Sequence, residues 1–234
     1  MGQSSTSRQQ QRIRHLSRSA RVTTTQWRRP LVYWLGAILV GIAAVTFANM
    51  ADWAARRRML MIHWSPWVML VVMPAGLAFS TWITQRFFKG AQGSGIPQTI
   101  ATLRMDNFSV VNRILSLRIA IAKIVLTTFG LFCGASIGRE GPTVQIGASI
   151  MHAFSRLLGH SNVAMKRGAI LAGGAAGVSA AFNTPLAGVV FAIEELSHSF
   201  EQRTSGTMLT GVILSGVTAI ALVGNYTYFG PTYV

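Results

Sequence analysis

Gly138-Arg139-Glu140-Gly141-Pro142 places two opposite charges inside sequence that is otherwise apolar. Residues 124–137 upstream and 143–155 downstream contain no Lys, Arg, Asp or Glu. An ionisable residue within membrane-type sequence is a candidate functional group by default, because burying it is costly. The two glycines let backbone approach something small, and Pro142 suits the first turn of a helix, where its missing N–H costs nothing. Glu140 is therefore expected at a helix N-terminus, where free N–H groups and the helix dipole favour an anion. A carboxylate that can occupy and vacate an anion site in a membrane is the reading that follows.

Composition points the same way. Of 234 residues, half are hydrophobic and only 12% are charged, against about 25% charged in a typical soluble domain. The acids are Asp52, Asp106, Glu140, Glu194, Glu195 and Glu201. The formal net charge of +15 could suggest nucleic acid, yet Arg8, Arg12, Arg14, Arg18, Arg21, Arg28 and Arg29 all lie in a polar arm. A basic arm before the first apolar segment is the positive-inside signal, so no nucleic acid is expected. Residues 1–29 are read as a disordered or surface-bound cytoplasmic arm and residues 30–234 as a membrane domain. The lone Cys133 sits in an apolar run, where packing is its expected role.

Residues 31–50 form an uncharged run long enough to cross a bilayer core of roughly 30 Å. Residues 64–85 form a second, with Trp64, Trp67 and Trp82 near its ends as interface anchors. Further spans are expected at 120–137, 165–181 and 206–223, while 96–103 is too short to cross and 143–158 is marginal. Gly173, Gly174 and Gly177 make a small-residue face suited to close helix packing. His63, His152, His160 and His198 show no metal-ligand spacing and are read as loop or interface residues. No metal, cofactor or nucleophile–histidine–acid arrangement is indicated, and no enzymatic activity is expected.

Three apolar segments begin alike, at Gly95-Ile96-Pro97, Gly141-Pro142 and Asn183-Thr184-Pro185. Broken helices are tolerated in a bilayer only where their ends are buried in protein or line a cavity. Half-helices whose N-termini meet would bind an anion through partial charges, which hold it loosely enough to leave. All three are expected to converge, with the Ser94 hydroxyl as an additional neutral donor. Glu194 and Glu195 end an apolar run, and as helix neighbours they point about 100° apart, so they cannot easily share one role. A solvated pair and a proton relay both remain open for them.

Gly93-Ser94-Gly95-Ile96-Pro97, Gly138-Arg139-Glu140-Gly141-Pro142 and residues 181–188 (Ala-Phe-Asn-Thr-Pro-Leu-Ala-Gly), in that order, resemble the CLC family of chloride channels and chloride/proton antiporters. The resemblance continues through Glu194 and Glu195 and covers roughly residues 31–234. It implies an all-α polytopic membrane protein with broken, re-entrant helices, here the first half of an inverted repeat. It implies chloride contacts at Ser94, Gly95, Ile96, Arg139, Glu140 and Gly141. Glu140 matches the gating glutamate, which competes with chloride when ionised and swings away when protonated. Glu195 matches the internal glutamate that passes protons in antiporters, so Glu140 and Glu195 are the implied proton-transfer residues. Lys123 falls where the family often carries a basic residue, and Gln98 stands where glutamate is common. The partners implied are chloride, protons, the lipid bilayer and a second copy in a homodimer, in a bacterial inner membrane. No match to the family's second half is found, so the sequence is expected to be a fragment or to meet a separate second half. Chloride/proton exchange is the favoured function. A passive channel of the voltage-gated type is its alternative, and a membrane-anchored interaction protein or an inactive fragment is more distant.

Overall fold

The computed structural model describes the backbone of residues 4–157, 163–197 and 205–224, and most side chains within those stretches from Tyr33 onward. The described residues are helical throughout, joined by short turns. The helices are α1 (Ser4–Trp64), α2 (Val68–Phe87), α3 (Ile96–Arg104), α4 (Phe108–Ile114), α5 (Leu117–Cys133), α6 (Glu140–Leu157), α7 (Val163–Phe182), α8 (Pro185–Phe191) and α9 (Ser205–Val223). A π-helical segment, Ala192–Ser197, continues α8. Helix α1 begins within the stretch read above as the basic arm. His160, His198 and Glu201 lie outside the described residues.

Among the described residues, three helical stretches are long and apolar enough to cross a membrane: Tyr33–Trp64, Val68–Phe87 and Phe108–Cys133; α7, over the expected span at 165–181, is not one of them, and Leu209–Val223, within the expected span at 206–223, is a shorter apolar helix. The first has 32 residues, about 48 Å of helix, so it overshoots a bilayer core and carries Arg56, Arg57 and Arg58 on its last turns. The Arg57 guanidinium lies over the Trp53 ring at 5.8 Å, an arrangement suited to an interface where one group is wet and the other apolar. Helix α2 buries only Gly76, which fits against Cys133 of α5, and leaves Leu70, Val71, Phe79 and Trp82 exposed. Water would penalise that exposed apolar surface.

The expected span at 120–137 begins and ends earlier, at Leu117 and Cys133. Ser116 starts it by accepting from the Ile119 N–H at 3.3 Å, and Gly134, at φ +102°, ends it in a left-handed turn. Periodicity alone could not place that stop, because residues 134–137 are as apolar as the helix before them.

The core is formed by α6 and α7, with α1 and α9 laid against them. Gly147 and Gly173 face one another so closely that a Cβ on either would run into the carbonyl of the other, and Gly177 meets the Thr143 carbonyl. The small-residue face is thus a backbone-to-backbone contact, where dispersion and packing bring helices together without a hydrophobic driving force. Around it pack Val40 and Phe47 of α1, Ile146 and Met151 of α6, and Val212 of α9. Helices α7 and α9 also exchange hydrogen bonds: Ser179 Oγ donates to the Val212 carbonyl at 2.9 Å and Ser215 Oγ to the Ala176 carbonyl at 3.1 Å.

His152 is a correction to the loop-or-interface reading. It lies fully buried on α6, with Nε2 2.7 Å from Asn112 Oδ1 of α4. A lone histidine in an apolar run gives no sequence sign of its partner forty residues away.

Candidate functional site

Helix α3 starts at Ile96 behind Gly95, whose φ of +116° is open to glycine and strained for other residues. Its first turn is closed by its own side chains. The Gly95 N–H donates to Gln98 Oε1 at 2.9 Å, and Thr99 Oγ1 donates to the Gly95 carbonyl at 2.9 Å. Helix α6 starts at Glu140, with Pro142 in its first turn and Thr143 Oγ1 donating to the Arg139 carbonyl at 2.6 Å.

These two helix starts meet. A Cβ on Gly95 would stand 2.6 Å from the Gly141 carbonyl oxygen, and a Cβ on Gly141 would stand 3.0 Å from the Ser94 carbonyl oxygen and 3.1 Å from Ser94 Cβ. The first N–H groups of a helix lack the usual carbonyl four residues back, so two helix starts in contact concentrate donors, although the Gly95 N–H is taken up by Gln98 and Pro97 and Pro142 carry none. Ser94 is exposed at this junction and Glu140 is half-buried. The Glu140 carboxylate folds back over Gly138, where a Cβ would collide with Oε2.

The third expected start does not join them. Helix α8 opens at Pro185 after Asn183, which takes a left-handed φ of +58°. Its contacts are with α7, the π-segment and α9: Pro185 lies against Gly216, and Gly188 against the Ala175 carbonyl and Val212. The expected convergence of three N-termini is therefore corrected to two. The turn-former-plus-proline pattern marks where a helix begins; it carries no information on what that beginning faces.

Arg139 binds Asp52 of α1, with Nη1 3.1 Å from Oδ1. The charged motif is thereby tied to the far end of the first span. Asp52 was visible in the sequence as an isolated acid, but nothing local paired it with an arginine 87 positions on. Glu194 and Glu195 lie on the π-segment, both exposed. Their neighbour Leu196 is buried between α7 and α3, where its Cδ1 and Thr99 Cγ2 both approach Gly174. The π-segment is thus anchored against the helix that follows Ser94, while the two glutamates point off that anchor. An insertion of one residue per turn is a frequent mark of functional positions, and it is invisible to periodicity.

Sequence reasoning gave Gln145 no role and explained Lys123 only by resemblance. Both are buried and both reach the loop before Ser94. Lys123 Nζ donates to the carbonyls of Ala91 at 2.9 Å, Gln92 at 3.4 Å and Gly93 at 2.5 Å. Gln145 Nε2 donates to the Gly90 carbonyl at 2.8 Å and the Ile114 carbonyl at 3.4 Å. A lysine and a glutamine in apolar runs were the available signals, since buried polar groups must find partners.

Residues 75–233 match the family model described as voltage gated chloride channel. The chain is 30% identical over 192 residues to the H(+)/Cl(-) exchange transporter ClcA of Cronobacter sakazakii, covering 78% of this chain and 40% of that protein. It is 35% identical over 154 residues to the protein of the same name from Vibrio cholerae, covering 65% of this chain and 31% of the relative. Among solved structures, a slow cyanobacterial Cl-/H+ antiporter superposes with a TM-score of 0.69 at 25% identity, over 84% of this chain and 47% of its own. A CLC-type fluoride/proton antiporter gives 0.70 at 22% identity, over 91% and 50%, a likeness of fold. The chain spans about two fifths of the length of the curated relatives it matches. With its motifs, its apolar helices and the family match in agreement, the chain is an integral membrane protein belonging to the voltage gated chloride channel, or CLC, family.

Proposed function

We propose that this chain supplies part of an anion path through the membrane, in which chloride is exchanged for protons and both ions meet at Glu140. The observation that carries the reading is the contact between the N-termini of α3 and α6 at Ser94, Gly95 and Gly141. The positive ends of two helix dipoles and a serine hydroxyl offer a dehydrated anion neutral donors, without a cation so close that it would be trapped. Ser94, Gly95 and Ile96 contribute from one side; Arg139, Glu140 and Gly141 contribute from the other. The ionised Glu140 carboxylate competes with chloride for these donors and yields when protonated. Glu195 passes protons between Glu140 and the cytoplasmic side. The exchange-transporter names of the relatives support exchange over passive conduction. The basic arm supports a cytoplasmic N-terminus, and pairing as a homodimer in a bacterial inner membrane follows the family pattern.

The test is chloride efflux from liposomes containing the purified chain, with external pH recorded simultaneously. Proton uptake accompanying chloride release is expected. Chloride release without proton movement would replace exchange by passive conduction, and a chain that moves no chloride would contradict the reading.

A further inference from the structure

Four consecutive carbonyls precede Ser94, and every one is occupied by a buried side chain from elsewhere in the fold. Gln145 takes Gly90, and Lys123 takes Ala91, Gln92 and Gly93. Gln98 Nε2 adds a second bond to the Gln92 carbonyl at 2.7 Å while its Oε1 holds the Gly95 N–H. Lys123 is 2% exposed and has no carboxylate partner among the described residues. Its three donors are satisfied by backbone alone, which solvates the ammonium but leaves its charge uncancelled.

In a trans peptide the C=O of one residue and the N–H of the next point in opposite directions. Carbonyls 91–93 drawn onto one ammonium therefore turn the N–H groups of Gln92, Gly93 and Ser94 away from it. Gly93, at φ +68°, supplies the bend that lets successive carbonyls gather on one point. We infer that Lys123, assisted by Gln98 and Gln145, is a positioning residue for the anion site: it clamps residues 90–93 by their carbonyls and so aims the N–H groups of 92–94 at the α3–α6 junction. The positive charge stands one peptide layer behind the donors, where it strengthens them without touching the ion. Gln98 takes part in a way a glutamate in its place could not, since an ionised carboxylate has no donor for the Gln92 carbonyl.

The inference rests on the anion path proposed above, and its test separates the two. Lys123→Met keeps the apolar stem and deletes the ammonium. Amide hydrogen exchange of the whole chain in detergent micelles, wild type against variant, reads the clamp, and calorimetric titration with sodium chloride reads the site. Exchange at Ala91 and Gly95, whose N–H groups are hydrogen-bonded to the Phe88 carbonyl and Gln98 Oε1 at the two ends of the clamped loop, is expected to quicken at least tenfold, with α6 unchanged, and chloride affinity to fall about tenfold. Unchanged exchange at both would overturn the clamp, and a loosened loop with unchanged chloride affinity would overturn its role in the site. A wild-type chain that binds no chloride would contradict the proposed function, while the exchange result would still judge the clamp. If Lys123→Met does not elute as a single species, Lys123→Gln, which keeps an N–H donor without the charge, takes its place in both measurements.

Discussion

Gly141 and Ser94 are in contact across the junction of α3 and α6, so closely that a methyl group would fit only if one helix start shifted by a few tenths of an ångström. A Cβ on Gly141 would stand 3.0 Å from the Ser94 carbonyl oxygen and 3.1 Å from Ser94 Cβ. The atoms it would meet belong to backbone or lie next to it, so they cannot rotate aside. Gly141→Ala must push the two helix starts apart. It is expected to destabilise the fold by about 1–3 kcal/mol and to abolish chloride movement, as read by thermal unfolding in detergent and liposome efflux. Wild-type behaviour in both would remove the junction from the account.

Glycines elsewhere need not behave this way, and the contrast is itself testable. Gly173→Ala drives a Cβ into the Gly147 carbonyl on the neighbouring helix, and should cost about 1–3 kcal/mol as overpacking. Gly211→Ala, on α9, would place its Cβ 3.9 Å from Ala37 Cβ, an ordinary contact. There the gain in helix propensity should leave stability unchanged or raise it by up to about 1 kcal/mol. Equal effects of the two substitutions on the unfolding midpoint would contradict the packing described for α6 and α7.

Asp52 and Arg139 link α1 to the charged motif, but the Asp52 side chain is 59% exposed. Solvent screening limits such a pair, so Asp52→Asn should change stability by less than about 1 kcal/mol. A larger loss, measured by denaturation in detergent, would mean that the pair sits in a drier setting than its exposure implies.

Glu195→Gln removes the proposed proton carrier and keeps the size of the side chain. Chloride efflux should continue while the accompanying proton uptake disappears. Intact coupling in this variant would take Glu195 out of the proton route, whatever its place on the π-segment.

Much of this was legible in the sequence. Apolar runs bounded by tryptophans and arginines marked the first two spans, and the run after Ala120 marked most of α5, because a bilayer core demands a minimum length of uncharged helix. Gly-Pro pairs marked two half-helix starts that meet, and alternating glycines and alanines marked the α6–α7 contact. What stayed hidden depended on distant residues. Gln145 and Lys123 advertise only that they must find partners; the loop at 90–93 that satisfies them is set by the fold. The start of α8 looks like the other two, yet it packs on α9 because Gly216 leaves space for Pro185. The π-segment at Ala192–Ser197 changes which way Glu194 and Glu195 point, and no spacing rule announces it.

The central claim is that the Glu140 carboxylate and chloride compete for the same donors at the α3–α6 junction. Calorimetric titration of chloride into wild type and Glu140→Gln across a range of pH tests it most directly. In wild type, protonation removes the competing carboxylate, so affinity should rise as pH falls. In Glu140→Gln affinity should be higher than wild type at neutral pH, by about tenfold or 1.4 kcal/mol, and should not vary with pH. Equal affinities with the same pH dependence in both proteins would contradict the account.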